Sequence, residues 1–249
     1  MIVAENILIL SMTRMGDMIQ TTPLIRGLKE KNPSAKITLL VASDFSSAVP
    51  LIPNVDESIV INLRQFDIQE NWEDISWVKI YRYLEKSLED IKSRNFDLLV
   101  NLSHSKFSAL MVRLLGIKNV VGFYCNDFGN RMTGHPWMQF FSVEVFNRKY
   151  NEFNLVEIFS RSGGVDVRGR TIEVVRPQNQ LSVDTLMSFG EEDILIGFQA
   201  GSSLEDRRWP LRSFANLADM LIENLNARIV IFGVESENEV AEEIKNSEI

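Results

Sequence analysis

Short apolar runs alternate with longer amphipathic stretches along most of the chain. The runs are rich in isoleucine, leucine and valine, as are strands that are buried on both faces of a parallel sheet. The longer stretches repeat their apolar positions every three or four residues, which is the period of a helix with one buried face. The alternation therefore predicts repeated strand–helix–strand units, that is, an α/β fold with parallel sheets.

The first part of the chain divides into strands and helices at clear stop signals. Asn32 and Pro33 end the first helix, because the residue before a proline is disfavoured in the helical conformation. Gly163 and Gly164 end the last helix of this part. The predicted strands are Asn6–Ser11, Lys36–Val41, Ser58–Ile61, Leu98–Leu102 and Val120–Gly122. The predicted helices are Met18–Lys31, Ile75–Ser93, Lys106–Leu115 and Tyr150–Ser162.

A stretch containing glycine and proline separates this part from a second, smaller α/β unit. Val165–Ser182 holds only a short strand-like run, Ile172–Val175, and is therefore predicted to be a linker. We predict a Rossmann-like N-terminal domain at residues 1–165, a linker at 166–185 and a C-terminal domain at 186–249. The elements predicted in the C-terminal domain are strands Ile194–Gln199 and Arg228–Phe232 and helices Leu211–Leu225 and Glu237–Lys245.

The C-terminal domain has few predicted strands, whereas sheets usually have about five. We therefore expect this domain to be truncated. Its last strand, Arg228–Phe232, should have an unpaired edge and an uncovered apolar face. The C-terminal region should accordingly be less stable than residues 1–165.

The composition argues against several classes of protein. A net charge of −8 does not suit non-specific nucleic-acid binding, which needs a basic surface. The apolar runs are far shorter than the roughly 20 residues of a membrane span, and Met1–Ser11 lacks the features of a signal peptide, so we expect a cytoplasmic protein. Cys125 is the single cysteine, and His104 and His135 lie far apart, so we expect no intrachain disulfide, no metal site and no cofactor.

The turn Ser11–Asp17 follows the first predicted strand and holds a candidate catalytic residue, Asp17. An aspartate here can cap the next helix, or it can stay ionised at the helix start and accept a proton from a substrate hydroxyl. Gly16 lets the backbone turn closely, and open α/β sheets bind ligands at the carboxyl ends of their strands. Both observations favour the second interpretation, a general base.

A second strand-to-helix turn, Gly201–Pro210, collects groups that bind an anion. It offers a glycine, two hydroxyls, two guanidiniums and the start of a helix. The predicted phosphate ligands are Gly201, Ser202, Ser203 and Arg207. Arg208 is left unassigned, and Trp209 is expected to pack against the helix. Two such turns, one in each domain, suggest a ligand that is held between the domains.

Two further places in the chain leave alternatives open. Glu235 and Glu237 follow the last predicted strand, so one of them can accept hydrogen bonds from ribose hydroxyls, or the pair simply begins a helix. Lys106 begins a helix and is either solvated or faces an anionic substrate. The chain has no Gly-x-Gly-x-x-Gly, P-loop or Asp-x-Asp motif. These absences count against a dinucleotide site, exclude a P-loop NTPase and leave no pair of aspartates to hold a divalent metal.

Several separated motifs together resemble the lipopolysaccharide heptosyltransferase family, the family 9 glycosyltransferases. The motifs are Ile7–Leu10 with Met15–Asp17 and Thr22–Pro23, Phe96–Leu102 with Lys106, Ser108 and Ala109, Val121–Phe123, Asn154–Ile158 through Gly163, and Gly201–Ser203 with Asp206–Pro210. The resemblance covers nearly the whole chain. It implies a GT-B fold, in which two Rossmann-like domains face each other across the active-site cleft. It also implies metal-independent, inverting transfer of a heptose from ADP-heptose to a hydroxyl of the lipopolysaccharide inner core.

The resemblance also implies roles for individual residues. Asp17 matches the catalytic base, Ser202 and Ser203 match hydroxyl contacts to the diphosphate, and Glu235 approximately matches a ribose-binding glutamate. Lys106 matches an acceptor-side lysine, and we predict that Arg14 also binds the acceptor. The roles imply two partners, a nucleotide-sugar donor like ADP-heptose and a glycolipid acceptor at the inner membrane surface.

The chain departs from the family pattern at two places. Position 207 is arginine where the family has lysine. A compact ammonium group is thus replaced by a planar guanidinium, which keeps the charge but changes the geometry of its hydrogen bonds. The later motif that grips the donor sugar would lie beyond Ile249, so we expect the 249-residue chain alone to transfer little sugar. The first alternative is a catalytically silent GT-B remnant that binds a nucleotide or a protein partner. The second, an NAD-dependent oxidoreductase, lacks its glycine motif.

Overall fold

A computed structural model describes residues 4–66, 77–146, 151–176, 194–202 and 205–246. The chain divides into two compact units, Met1–Gln178 and Asn179–Ile249. Each unit is an α/β sandwich of its own. The predicted domain limits, with a linker at 166–185, stay a prediction.

The first unit is built on a six-stranded sheet with the strand order β3-β2-β1-β4-β5-β6. The strands are β1 Asn6–Ser11, β2 Lys36–Ala42, β3 Glu57–Ile61, β4 Leu98–Asn101, β5 Asn119–Cys125 and β6 Arg131–Thr133. Strands β1 to β5 run parallel, and β6 pairs with β5 as an antiparallel hairpin. The chain passes to opposite sides of β1 for β2 and β4, so the carboxyl ends of β1 and β4 form the crevice in which sheets of this type bind ligands.

Helices cover both faces of this sheet. They are α1 Met15–Ile19, α2 Thr22–Lys31, α3 Trp77–Lys92, α4 Lys106–Leu115, α5 Pro136–Phe146 and α6 Leu155–Ser162, with 3-10 segments at Ser43–Leu51 and Arg64–Phe66. Alternate side chains of β1 point to opposite faces. Ile7 and Ile9 pack in a core with α2 and α6, and Leu8 and Leu10 pack in a second core with α3 and α4. The unit is therefore a three-layer sandwich.

The prediction of one helix at Met18–Lys31 is wrong, because the chain forms two helices there, Met15–Ile19 and Thr22–Lys31. The chain turns at Gln20 and Thr21, where the Thr21 hydroxyl donates to the carbonyl of Met18 (2.6 Å). Pro23 lies in the first turn of α2, where its missing N–H costs no hydrogen bond. The proline therefore starts the second helix at the point where the threonine ends the first.

Two other predictions differ from the structure, one in where a helix begins and one in whether a strand forms. The helix predicted at Tyr150–Ser162 begins only at Leu155, because the Asn154 side chain caps it by accepting the N–H of Glu157 (2.9 Å). The strand-like run Ile172–Val175 forms no strand. It lies along the first unit instead, where the Val175 N–H donates to the carbonyl of Leu51 (2.9 Å).

The second unit is smaller. Its elements are β7 Leu195–Gln199, α7 Leu211–Leu225, β8 Arg228–Phe232 and α8 Asn238–Asn246, with 3-10 segments at Glu205–Arg207 and Glu235–Glu237. The two strands are parallel and in register from Leu195 opposite Arg228 to Gln199 opposite Phe232. Their buried core consists mainly of Ala200, Ala215 and Ile244. Large apolar side chains remain exposed, with Met220 at 60% and Phe232 at 56%.

This difference in core size leads to a prediction about local stability. We expect slower amide hydrogen exchange in β1, β2 and β4 than in β7 and β8 of the 249-residue chain, because burial of large apolar side chains sets the free energy of local opening. Hydrogen exchange read by mass spectrometry measures this directly. Equal, strong protection of the two sheets would contradict the expectation.

Candidate functional site

The crevice at the carboxyl ends of β1 and β4 opens into a cavity of about 580 Å³ within the first unit. Its size suits a small polar ligand or part of a larger one. Both polar and apolar side chains line the cavity. Its lining residues are Met12, Thr13, Arg14, Asp17, Phe45, Ser103, His104, Ser105, Phe141 and Leu155.

Hydrogen bonds between the two strand ends fix the floor of the cavity. The N–H of Met12, after β1, donates to the Ser103 hydroxyl, after β4 (2.6 Å). The Asn101 side chain accepts the N–H of Ser103 (3.0 Å) and donates to the carbonyl of Phe123 in β5 (2.8 Å). Asn101 and Ser103 are both buried. Their network ties three neighbouring strands together just below the cavity and so keeps its shape.

Asp17 is the third residue of α1, and its carboxylate hydrogen-bonds to the backbone of Arg14 at the helix start. The helix begins ahead of it, since the N–H of Met18 donates to the carbonyl of Arg14 (3.0 Å) and Arg14 occupies the N-cap position. Asp17 is therefore not the N-cap residue, although its carboxylate contributes to capping through its hydrogen bond with the Arg14 backbone. The same partly buried carboxylate also lines the cavity. Burial raises the pKa of Asp17, while the Arg14 guanidinium, the Arg14 backbone and His104 act to lower it.

The raised pKa of Asp17 leads to a stability prediction. The carboxyl favours the folded state below its ordinary pKa of 3.8, and this advantage is lost as the pH rises through the raised value. An ionised Asp17 therefore costs folding free energy at neutral pH. Asp17→Asn should raise the Tm at neutral pH by at most about 2–4 °C, since solvent screens a partly exposed carboxylate. Thermal unfolding followed by circular dichroism should show this gain vanish near about pH 3, and a lower Tm for the variant at neutral pH would contradict the account.

His104 lines the same cavity, although its sequence context did not mark it as a candidate site residue. Its partly buried ring packs against the ring of Phe141, with 5.4 Å between centroids. Its backbone carbonyl accepts a hydrogen bond from the Arg131 guanidinium, which sits over the Phe123 ring at 5.1 Å. Burial lowers the pKa of His104, the positive charge of Arg131 lowers it further, and Asp17 acts in the opposite direction.

The two residues predicted to bind the acceptor differ in position. Arg14 is exposed and lines the cavity beside Asp17. Lys106 is also exposed, but it is the first residue of α4 and is not among the residues that line the cavity. The Ser105 hydroxyl caps that helix by accepting the N–H of Ser108 (3.0 Å). The cavity thus unites Asp17, Arg14 and His104, while Lys106 lies next to one of its lining residues.

The predicted phosphate-binding turn of the second unit follows β7. Gly201 and Ser202 lie at the end of this strand, and Ser203 falls outside the described residues. Arg208 closes the turn, because its Nε and Nη2 atoms both donate to the carbonyl of Ser202, at 3.1 and 2.8 Å. Arg207 is exposed. The structure therefore gives Arg208 a role in shaping the turn and leaves the guanidinium of Arg207 accessible to a ligand.

Trp209 packs against helix α7 of its own unit, as the sequence predicted. Its ring meets Phe214 of α7 edge-on, with 5.0 Å between centroids. Phe214 in turn contacts the ring of Phe198 in β7 at 5.4 Å. These contacts hold the start of α7 against the strand that ends in the phosphate-binding turn.

The two glutamates after β8 have different surroundings. Glu235 is exposed. Glu237 is partly buried, and its carboxylate accepts the N–H of Val234 (3.1 Å). A side chain at Gly201 would collide with this carboxylate, and one at Gly233 would touch it. Glycine at both positions lets the Glu237 carboxylate reach the carboxyl end of β7, beside the predicted phosphate-binding turn.

The described parts of the chain lack two kinds of feature. His, Cys, Asp and Glu side chains form no group of three or more there that could hold a metal ion. Within the same residues, no helix has the length and apolar character needed to cross a membrane.

Comparison with known proteins relates the chain to one enzyme family. Residues 84–248 match the family model for Glycosyltransferase family 9 (heptosyltransferase). Lipopolysaccharide heptosyltransferase 3 of Escherichia coli K12 is 28% identical over 179 residues, which are 71% of this chain and 44% of that protein. The chain therefore spans less than half the length of this curated relative.

Solved structures show the same fold. A glycosyl transferase of family 9 from Veillonella parvula DSM 2008 superposes with a TM-score of 0.73 at 19% identity, covering 98% of this chain and 67% of that one. The E. coli heptosyltransferase WaaC, solved with ADP-2-deoxy-2-fluoro heptose, gives a TM-score of 0.63 at 18% identity, covering 97% and 73%. The predicted α/β fold class, GT-B, is confirmed by these likenesses.

Proposed function

The chain belongs to glycosyltransferase family 9, and on this basis we propose that it transfers a heptose from ADP-heptose to a hydroxyl of the lipopolysaccharide inner core. The observation that carries the proposal is the carboxylate of Asp17, held in a cavity at the carboxyl ends of β1 and β4. The names of the relatives support the substrate class, since one acts on lipopolysaccharide and another was solved with an ADP-heptose analogue.

Asp17 acts in this proposal as the general base. Its carboxylate removes the proton from the acceptor hydroxyl as the oxygen forms a bond to C1 of the heptose. The bond between C1 and the diphosphate oxygen breaks, and ADP leaves with the electron pair. Attack from the face opposite the diphosphate inverts the configuration at C1. Partial burial suits the role, because a raised pKa makes the carboxylate a better proton acceptor than an exposed aspartate.

The second unit binds the donor in this proposal. Gly201, Ser202 and Ser203 contact the diphosphate, and the guanidinium of Arg207 neutralises its growing charge as it departs. This arrangement supplies cationic stabilisation from a side chain and needs no metal ion. The ribose ligand in this proposal is Glu235, whose exposed carboxylate is open to a ligand, with Glu237, whose carboxylate lies beside Gly201, as the alternative.

The first unit binds the acceptor. Arg14 lines the cavity and presents a positive charge near Asp17, and Lys106 presents a second one at the start of α4. Both would attract the acidic groups of a glycolipid. We further propose that the protein works in the cytoplasm, peripherally at the inner membrane surface, where such an acceptor would be presented.

A competition experiment tests the donor class. Calorimetric titration of the 249-residue chain with ADP, UDP and GDP should show the tightest binding for ADP, and ADP-heptose should displace it. Tighter binding of UDP would overturn the proposed donor. ADP binding without any transfer by the natural protein that contains this chain would instead identify a catalytically silent nucleotide binder.

A further inference from the structure

We propose that His104 is a positioning residue for the reaction proposed above, on which this inference rests. In its neutral form the imidazole holds the acceptor hydroxyl group beside Asp17. In its protonated form it pairs with Asp17 and takes the carboxylate out of use as a base. The cavity that contains both side chains would then carry its own proton-dependent control of transfer.

His104 is held at the cavity by one contact to its ring and one hydrogen bond to its backbone. Phe141 packs against it with 5.4 Å between centroids and 47° between the ring planes. Arg131 binds the backbone carbonyl of the same residue, and Arg131 is itself held over the Phe123 ring. The imidazole therefore has a fixed location at low cost in entropy when a ligand binds, as a positioning group requires.

The residues on either side of His104 are fixed as well. The Ser103 hydroxyl accepts the N–H of Met12, and the Ser103 N–H donates to the Asn101 side chain. Ser105 on the other side caps α4. These bonds restrict the loop between β4 and α4 on both sides of His104. Ser103 is bonded to the floor of the cavity and Ser105 to the start of α4, which leaves His104 between them at the cavity wall.

Burial and the positive charge of Arg131 lower the pKa of His104 and so favour its neutral form, while Asp17 acts in the opposite direction. The charged groups that act on it are Asp17 and the guanidinium of Arg131, and Arg14 adds a further positive charge to the lining. Its other neighbours in the lining are uncharged. A neutral imidazole has one N–H donor and one free nitrogen, so it can both donate to and accept from a hydroxyl. A protonated imidazole has two donors and no acceptor, and the nearby carboxylate becomes its natural partner.

The first arm of the test uses no substrate. The chain has two histidines, so their ring resonances in carbon–proton correlation spectra can be followed separately through a pH titration. His104 should titrate below the usual range of a histidine. In Asp17→Asn it should titrate lower still, because the charge that favours its protonated form is gone. His135, whose Nδ1 accepts the N–H of Trp137 (3.3 Å) and which does not line the cavity, provides the internal reference resonances. An unaltered His104 titration in Asp17→Asn would overturn the pairing, whether or not the protein transfers sugar.

The second arm measures transfer by the natural protein. His104→Ala should raise the acceptor KM by roughly fivefold to tenfold, the scale of one lost hydrogen bond, and should remove the loss of kcat/KM at acidic pH that pairing with Asp17 causes. His104→Gln keeps a donor and an acceptor but cannot be protonated, so it should restore KM without restoring that acidic loss. His135→Asn, whose side-chain oxygen can replace Nδ1 as the acceptor of the Trp137 N–H, should match the wild type. An unchanged acceptor KM and pH profile in His104→Ala would overturn the positioning role. Absence of transfer by the wild type would overturn the proposed function, while the titration still decides whether the two side chains interact.

Discussion

Turnover by the natural protein is expected to fall by roughly 10² or more in Asp17→Asn, while ADP binding stays nearly unchanged. Asparagine has the shape of aspartate but cannot take a proton from the acceptor hydroxyl. The variant should also fold, because burial of the Asp17 carboxylate costs stability at neutral pH. Steady-state kinetics with both substrates saturating, together with calorimetric ADP binding, separates the loss of chemistry from a loss of binding.

A surface aspartate provides the control for this change. Asp127 lies 87% exposed and pairs with Arg113 at 2.7 Å. Exposed pairs of this kind contribute little to stability, so Asp127→Asn should leave turnover and folding unchanged. Wild-type turnover in Asp17→Asn would show that Asp17 is not the general base.

The second large effect is expected at the phosphate-binding turn. Arg207→Ala should weaken ADP binding to the 249-residue chain by about 1.5 to 3 kcal/mol, or roughly 10- to 150-fold, because the variant loses a charge-assisted hydrogen bond to the diphosphate. Arg207→Lys keeps the charge and restores the residue of the family pattern, so it should lose much less affinity. Calorimetry measures both changes.

Two neighbouring arginines serve as comparisons. Arg212 is exposed on α7 and should tolerate alanine without loss of affinity. Arg208→Ala should weaken ADP binding through the turn itself, because Arg208 bonds to the Ser202 carbonyl twice. Equal ADP affinity in the wild type and Arg207→Ala would remove Arg207 from the donor site.

The five parallel strands of the first unit could be predicted because each contains an apolar run between turn signals. Asn6–Ser11 was predicted with its observed limits, as was the helix Lys106–Leu115. The helix Pro136–Phe146 was missed because its apolar residues lie on every side and leave no helical period. The three-residue strand Arg131–Thr133 was missed because its length gives no pattern.

The same two omissions explain why His104 escaped notice. Phe141, which packs on its ring, belongs to the missed helix, and Arg131, which holds its backbone, belongs to the missed strand. A lone histidine has no local signal of its role, because that role depends on contacts from distant parts of the chain. Asp17 was found since its signal is local, a glycine and a carboxylate directly after a strand. Its exclusion from the cap position depends on where α1 begins, which the sequence placed a few residues too late.

The measurement that tests the central claim most directly is the mass of the acceptor after reaction. Lipopolysaccharide inner-core acceptor is incubated with ADP-heptose and the natural protein that contains this chain, and the glycolipid is analysed by mass spectrometry. The proposed function predicts an acceptor that is heavier by one heptose, with one ADP released for each heptose transferred and roughly 10²-fold less product from Asp17→Asn in the same time. An unmodified acceptor in the presence of bound ADP-heptose would contradict it.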